Sequence, residues 1–418
     1  MEVETITLLE NKHVILGVTG SIAVYKAVDL GSKLTQAGAL VDVIMTDAAQ
    51  RFVTPLTFQS VTGRPVYTTM WLTEGSGALP THIAHVGLGE GADLFAVAPI
   101  TAHTVAKLAH GLADDLLSVT ALAARSPILI APAMDGGMYA HPATQANLQI
   151  LRERGVIVIE PDEGRFASGL VGKGRFPETP TLLGYIRQAL GRGGVLAGCK
   201  VVVTAGGTRE PIDPVRYLTN RSSGKQGYAL VQAAIDAGAE VTLITTVQQL
   251  SPPAGAAVVP VHTTEEMLQA VQAHSGGTDA LIMAAAVADF RPEEIATRKI
   301  KKSDRANDAP TLHLVRTPDI LLAVKDRRTK TGWPRVVIGF AAESEDLLAN
   351  AQSKLKRKGL DLIVANDISA ADAGFEVDTN RVTLIDAKGE PHPLELASKT
   401  RISEEVIRRV AELLHDRA

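Results

Sequence analysis

Short apolar runs separated by amphipathic stretches recur along the chain in two successive series. In the first, HVILGV (13–18), VDVIMT (41–46), DLFAVAP (93–99), PILIAPAM (127–134) and VIVIE (156–160) read as strands, with helical segments such as 21–37 and 101–123 between them. The runs are apolar at consecutive positions, so both faces of each strand are expected to be covered. Strands of this kind belong to parallel sheets sandwiched between helices. After the polar, glycine-rich stretch GRGGVLAG (191–198) the pattern starts afresh with KVVVTAG (200–206), EVTLITT (240–246), DALIMAAA (279–286), RVVIGFAAE (335–343) and DLIVAND (361–367). RVTLIDA (381–387) and a helix near 402–416 close the second series. The expected architecture is α/β: two doubly wound, Rossmann-like domains in series, 1–190 and 199–418, joined by a linker at 191–198.

Composition narrows the function classes. A chain of 418 residues is too long for one typical core. A net charge of −4 gives no electrostatic reason for a nucleic acid or an acidic membrane as partner. The single cysteine, Cys199, allows neither a disulfide within one chain nor a cysteine-rich metal site, which fits a reducing cytoplasm. The acidic start MEVETITLLENK lacks the apolar core of a secretory signal. No run of about 18 uncharged apolar residues is present to span a membrane. A cytoplasmic protein with neither membrane nor nucleic acid as partner is expected.

In doubly wound sheets ligands bind beyond the carboxyl ends of the strands, and the unusual residues cluster there. Gly17-Val18-Thr19-Gly20-Ser21-Ile22-Ala23 follows the first strand and opens a helix, a turn that lets an anion approach the backbone. Its spacing is not GxGxxG, and Thr46 stands where an NAD site would carry a ribose-binding acid, so a mononucleotide fits better. GSIAVYK (20–26), Pro99-Ile100-Thr101-Ala102-His103-Thr104, DDLL (114–117) and Pro132-Ala133-Met134-Asp135-Gly136-Gly137-Met138 occur in this order. On these motifs residues 10–180 resemble the homo-oligomeric flavin-containing cysteine decarboxylases. The resemblance implies a flavodoxin-like flavoprotein domain holding FMN through Gly20, Ser21, Thr46, Thr101 and His103, with Met134 and Asp135 against the substrate.

That chemistry has a reason to use a flavin. An N-acylated cysteine has no β-carbonyl to receive the electrons left when CO2 departs. Oxidising its Cβ–S bond to a thioaldehyde supplies the sink, and a flavin can accept the hydride. A base near the thiol is then useful. In this family it lies in a His-containing helix before the third strand, and His82 in THIAH takes that position. His85 lies three residues on, but no third ligand is evident for a metal. Two residues depart from the family pattern. Relatives carry PAMN, whose Asn meets the substrate carboxylate; here Asp135 would repel that group unless it is protonated, faces another group or leaves the contact to neighbouring donors. Many relatives also carry a proton-donating cysteine in a flap after the fifth strand, where this chain reads Ala167-Ser168-Gly169. Ser168, a water or another flap group is expected to relay the proton, although a hydroxyl is far less acidic than a thiol.

In the second half, TAGGTREPIDPVR (204–216) runs on to Asn220-Arg221-Ser222-Ser223-Gly224-Lys225, before a helix expected from near Ser222. Arginines and helix-start amides suit phosphates. A P-loop does not fit, because Thr219 stands where its first Gly belongs and Gln226 where Ser or Thr belongs. With AAAVADFR (284–291), KIKK (299–302), TPDIL (317–321), GFAAE (339–343), Lys354 with Lys358, and AND (365–367), the segment resembles phosphopantothenate–cysteine ligase over nearly all of 199–390. The resemblance implies contacts to CTP from Asp289, Lys299, Phe340, Lys354, Lys358 and the backbone of Pro318, Asp319, Ile320 and Leu321. It places Arg216 and Asn220 on the substrate or intermediate, and Asn220 and Lys299 in catalysis.

A carboxylate is a poor acyl donor. CTP would convert 4′-phosphopantothenate to an acyl-cytidylate, pyrophosphate would leave and the cysteine amine would attack. Mg2+ and lysines are the natural stabilisers of the charge on the phosphates. The order of the halves is similar to that of the bifunctional prokaryotic enzymes of coenzyme A synthesis, in which ligation precedes decarboxylation to 4′-phosphopantetheine. Their assembly implies a homo-oligomer with a trimer-based core, up to a dodecamer, and dimeric ligase domains. The rival reading is a ligase alone, its first half a flavin-binding scaffold or a decarboxylase of another cysteine substrate.

Overall fold

In β1 (His13–Val18) every residue after the histidine is buried. Val14, Leu16 and Val18 enter one apolar layer and Ile15 the other, as expected for a strand covered on both faces. The computed structural model describes residues 5–71, 84–165, 169–301, 311–343, 346–367 and 377–417. It divides the chain into two compact units, Met1–Gly191 and Arg192–Ala418.

The first unit builds its sheet from β1, β2 (Leu40–Met45), β3 (Val66–Tyr67), β4 (Leu94–Ile100), β5 (Ile128–Pro132) and β6 (Ile157–Val158), all parallel and ordered 3-2-1-4-5-6. This is the Rossmann order, not the 2-1-3-4-5 order of flavodoxins. The flavodoxin-like expectation therefore holds for a doubly wound flavoprotein sheet but not for strand sequence. Side chains of α1 (Val24–Gln36), α2 (Pro55–Thr62) and α8 (Thr179–Gly191) fill one layer. Those of α3 (Ala84–Gly91), α4 (Ala102–His110), α5 (Leu116–Ala123) and α7 (Pro142–Glu153) fill the other. The segment 101–123 is two helices. Gly111, with φ of 69°, ends α4 in the left-handed conformation, and a capping box between Asp115 and Ser118 starts α5. A short helix, α6 (Gly136–Ala140), follows β5, and the hairpin β7 (Asp162–Arg165) and β8 (Val171–Arg175) follows β6.

The second unit uses β9 (Lys200–Ala205), β12 (Glu240–Thr245), β13 (Ala257–Pro260), β14 (Ala280–Met283), β17 (Val336–Glu343) and β18 (Leu362–Asp367) as a parallel sheet. Read in order of appearance, these six strands also run 3-2-1-4-5-6. Two antiparallel strands, β19 (Thr379–Asp386) and β20 (Pro391–Ser398), extend the β18 edge. One layer is filled from α9 (Lys225–Asp236) and α13 (Lys399–His415). The other is filled from α10 (Thr264–His274), α11 (Ile320–Thr331) and α12 (Leu347–Lys358). Two smaller antiparallel pairs stand apart from the main sheet: β10 (Arg209–Asp213) with β11 (Arg216–Thr219), and β15 (Phe290–Pro292) with β16 (Leu314–Arg316). The helix expected from Ser222 begins at Lys225. Gly224 precedes it with φ of 77°, and a Cβ there would collide with the Val247 side chain.

Candidate active sites

In the first unit the strand order reverses between β1 and β4, and the turns leaving these strands are tied together. The buried Thr19 hydroxyl donates to Pro99 O at 2.9 Å and accepts from Thr101 N at 3.0 Å. Thr101 caps α4, accepting from Thr104 N at 3.4 Å. Ser21 N donates to Thr19 O at 2.8 Å, and Ser21 Oγ accepts from Ala23 N at 3.3 Å. Thr46 N donates to Val18 O at 3.1 Å, and its Oγ1 accepts from Ala49 N at 3.3 Å. Gly20 lies so close to Ala48 that an added Cβ would overlap the Ala48 methyl. Gly20, Ser21, Thr46 and Thr101 thus share one carboxyl edge, while His103 is exposed in the first turn of α4. Hydroxyls, backbone N–H groups and a helix N-terminus are the donor set for a phosphate monoester.

The turn after β5 forms a second wall. Ala133 N donates to Ile100 O at 3.0 Å, and Met134 N donates to Gly174 O of β8 at 3.1 Å. Asp135 caps α6, its Oδ1 accepting from Gly137 N at 3.1 Å. This carboxylate thus meets at least one backbone N–H at a helix start. Glu160 joins this wall to the hairpin: it accepts from Tyr139 OH at 3.0 Å, Arg152 Nη2 at 2.6 Å and Lys173 Nζ at 2.5 Å. Burial alone would raise the Glu160 carboxyl, but Lys173, Tyr139 and Arg152 hold it below its ordinary value. His82 and Ser168 lie outside the described residues. His85 is half-buried in the first turn of α3.

The second unit contains a cleft of about 1020 Å³ along the carboxyl edge of its sheet. Residues 220–227, 283–290, 316–322 and 340–342 line it, joined by Lys354, Arg357, Lys358, Asn366, Asn380 and Lys399. The turns are held by buried threonines: Thr204 Oγ1 accepts from Ala285 N at 3.1 Å, and Thr208 Oγ1 from Ala288 N at 2.9 Å. Asn220 Nδ2 donates to Val287 O at 3.1 Å and to Ala286 O at 3.4 Å. Thr317 Oγ1 donates to Ala288 O at 2.5 Å and so fixes the Pro318–Leu321 turn beside Asp289. Asp319 caps α11 and forms an ion pair with Lys358, while Lys354 Nζ donates to Phe340 O at 2.7 Å. Burial pulls the Lys358 ammonium below the ordinary lysine range, against the attraction of Asp289.

Two expected residues are not in this lining. Arg216 forms an ion pair with Asp213 at 3.0 Å and donates to Ile300 O. Lys299 is exposed on the neighbouring loop, which is anchored where Ile300 N meets Asp213 Oδ2 at 3.1 Å. Burial alone would raise the Asp213 carboxyl, but N–H donation from Val215, Ile300 and Arg216 holds it below its ordinary value. The Asp213 clamp thus engages the Arg216 guanidinium through Nη2.

The flavoprotein family model matches residues 2–191, and the model of the DNA/pantothenate metabolism flavoprotein C-terminal domain matches 196–414. The coenzyme A biosynthesis bifunctional protein CoaBC of Bacillus subtilis is 46% identical over 409 residues, covering 97% of this chain and 98% of the relative. The chain belongs to this family. The CoaBC protein of Mycobacterium bovis is 44% identical over 414 residues, covering 96% of this chain and 97% of the relative. Among solved structures, a C-terminal domain of CoaBC is 36% identical with a TM-score of 0.45, covering 54% of this chain and all of that one. As a CoaBC family member the protein is a bifunctional enzyme of coenzyme A biosynthesis, a flavoprotein decarboxylase and a ligase, and the ligase-only alternative is not favoured. Among the described residues no helix is long and apolar enough to cross a membrane.

Several cleft residues escaped sequence reading. Lys225, Asn366 and the 284–288 loop stood inside quoted motifs without an assigned role. Asn380 and Lys399 carried no local signal at all, because β19 and α13 reach the cleft only through sheet pairing and helix packing.

Proposed function

We propose that residues 199–418 ligate cysteine to 4′-phosphopantothenate with CTP, and that residues 1–190 then decarboxylate the product with FMN, the 191–198 stretch acting as linker. The carrying observation is the convergence of Asn220, Asp289, Pro318–Leu321, Phe340, Lys354 and Lys358 on one cleft of about 1020 Å³. Lys354 and Lys358, one turn apart on α12, stabilise the nucleotide phosphates as charge builds during acyl-cytidylate formation. Asp319 is committed to its helix cap and to Lys358, so Asp289 is the carboxylate left to orient Mg2+-bound nucleotide. Asn220 holds the 286–288 backbone against the acyl group. Lys299 joins the reaction only if its loop moves to the cleft.

When bound, FMN supplies the acceptor for the hydride lost as the cysteine Cβ–S bond is oxidised. The chain's part is to hold the FMN phosphate with Gly20, Ser21, Thr46 and Thr101, to present substrate to the Met134–Asp135 turn and to move protons. His82 takes the thiol proton, and Ser168, a flap water or another flap group returns one. A homo-oligomer, trimer-based and up to a dodecamer, is carried over from the family resemblance. We place the enzyme in the cytoplasm.

The test is a mass-resolved assay with 4′-phosphopantothenate, cysteine and CTP that reports pyrophosphate, ligated product and decarboxylated product separately. His82→Asn and His85→Asn are compared on decarboxylation. The His82 variant is expected to lose about 10²–10⁴-fold while ligation continues. Retention of full decarboxylation by His82→Asn would sink the histidine assignment. Accumulation of the unsaturated ene-thiol would sink the proton relay.

A further inference from the structure

Lys399 occupies a place where a cation is disfavoured for three separate reasons. It is only 6% exposed, and an ammonium withdrawn from water loses its hydration. It is the first residue of α13, at the helix end that carries partial positive charge. It also has another cation beside it: burial first and Lys225 second pull its ammonium below the ordinary lysine range, with Asp378 opposing. Compensation within the protein is thin. Lys399 Nζ donates to Val377 O, and the carboxylate of Asp378 is engaged by Lys225 at 2.7 Å. Replacement by a hydrophobic side chain of similar length is expected to leave the free protein at least as stable.

The location gives the charge a use. Lys225 and Lys399 both line the cleft, as do Lys354 and Lys358. The two pairs come from opposite faces of the sheet: α12 packs into the layer shared with α10 and α11, whereas α9 and α13 fill the other layer. The cleft thus carries cations on each side of the sheet edge. Between them Asn366, at the end of β18, is 8% exposed and lines the cleft, and its Oδ1 has no hydrogen-bond partner among the described residues. Gln226, a lining residue, likewise has a buried Oε1 without a partner among them. Buried acceptors of this kind call for N–H or O–H groups from water or a ligand. The complementary molecule carries negative charge at both ends and hydrogen-bond donors between.

We propose that Lys399, assisted by Lys225, binds the phosphomonoester end of the acid substrate, remote from the carboxylate that is activated. This rests on the proposed function, which gives Lys354 and Lys358 to the nucleotide. The carboxylate must meet the nucleotide, so the cations of the opposite layer face the substrate's other end. Lys399 is a substrate-binding and specificity residue, and its cost to the free fold is offset when the phosphate arrives.

The experiment uses the full-length chain and the variants Lys399→Met and Lys399→Arg. In ligation, Lys399→Met is expected to raise KM for 4′-phosphopantothenate by about 10–100-fold, as loss of one charge-assisted hydrogen bond does. KM for CTP stays within about twofold, Tm of the free protein is unchanged or higher, and Lys399→Arg recovers most of the loss. A structural role predicts the reverse pattern, a lower Tm with normal KM in the folded fraction, and that result overturns the proposal. So does a rise confined to the KM for CTP. Calorimetric titration with 4′-phosphopantothenate and with unphosphorylated pantothenate, without nucleotide, separates this idea from the nucleotide assignment. The wild-type chain is expected to prefer the phosphorylated acid and Lys399→Met to lose that preference, whichever nucleotide the enzyme uses. Equal preference in both proteins rejects the role of Lys399.

Discussion

At the edge between β1 and β4 the first unit places glycine, serine and threonine; at the matching edge between β9 and β14 the second unit places turns overhung by lysines from α9, α12 and α13. Both sheets share the 3-2-1-4-5-6 order, so both open a crevice at the same topological point. The scaffold decides where a ligand goes, and the loops and added elements decide which ligand. In the first unit short side chains bond mainly to backbone. In the second, β19 and β20 extend the sheet, α13 packs beside α9, and long cationic side chains reach a wide cleft. The first site is therefore expected to fail by steric change and the second by loss of charge.

The largest effect should come from charge removal in the second unit. Lys358→Gln is expected to lower ligation by about 10²–10³-fold, the scale for losing one stabiliser of developing charge. Decarboxylation of supplied substrate in the same chain should be unchanged, and loss of both activities together would break the comparison. A pH profile sharpens it. Because the Lys358 ammonium titrates below the ordinary lysine value of 10.5, nucleotide affinity should be present at neutral pH and weaken as pH rises, before an exposed lysine would lose its proton.

A smaller effect is expected from crowding the first unit. Gly20→Val places carbon where the Ala48 methyl already stands, and overpacking of this kind costs about 1–3 kcal/mol. Flavin absorbance after gel filtration should fall while CTP-dependent pyrophosphate release persists. Full flavin retention would remove the turn after β1 from the site.

The smallest effect is expected at Asp135. Asn caps helices about as well as Asp, so Asp135→Asn should change stability by less than about 0.5 kcal/mol, read as Tm. KM for decarboxylation should fall by no more than a few-fold, since a negative charge leaves the substrate wall. A large loss of activity would mean that the carboxylate takes part in the chemistry beyond its cap.

The sequence by itself determined the α/β class and most central strands. Val14–Val18 and Val201–Val203 are apolar at consecutive positions, as a strand buried on both faces requires. It also marked the turns after β1, β4, β9 and β14, because glycine, proline and small polar residues are needed where backbone must approach a ligand. Local signals could not show which side chains would spend their charge inside the protein. Arg216 carries no local sign of its ion pair with Asp213. Asp135 carries no local sign of its contact with the backbone at the start of α6. Only the tertiary structure brought Lys399, 174 positions beyond Lys225, to the same cleft, because their placement depends on α13 packing against α9 and on long-range strand pairing. Pattern along the chain records what each segment buries; proximity between distant charges is created only when those segments pack.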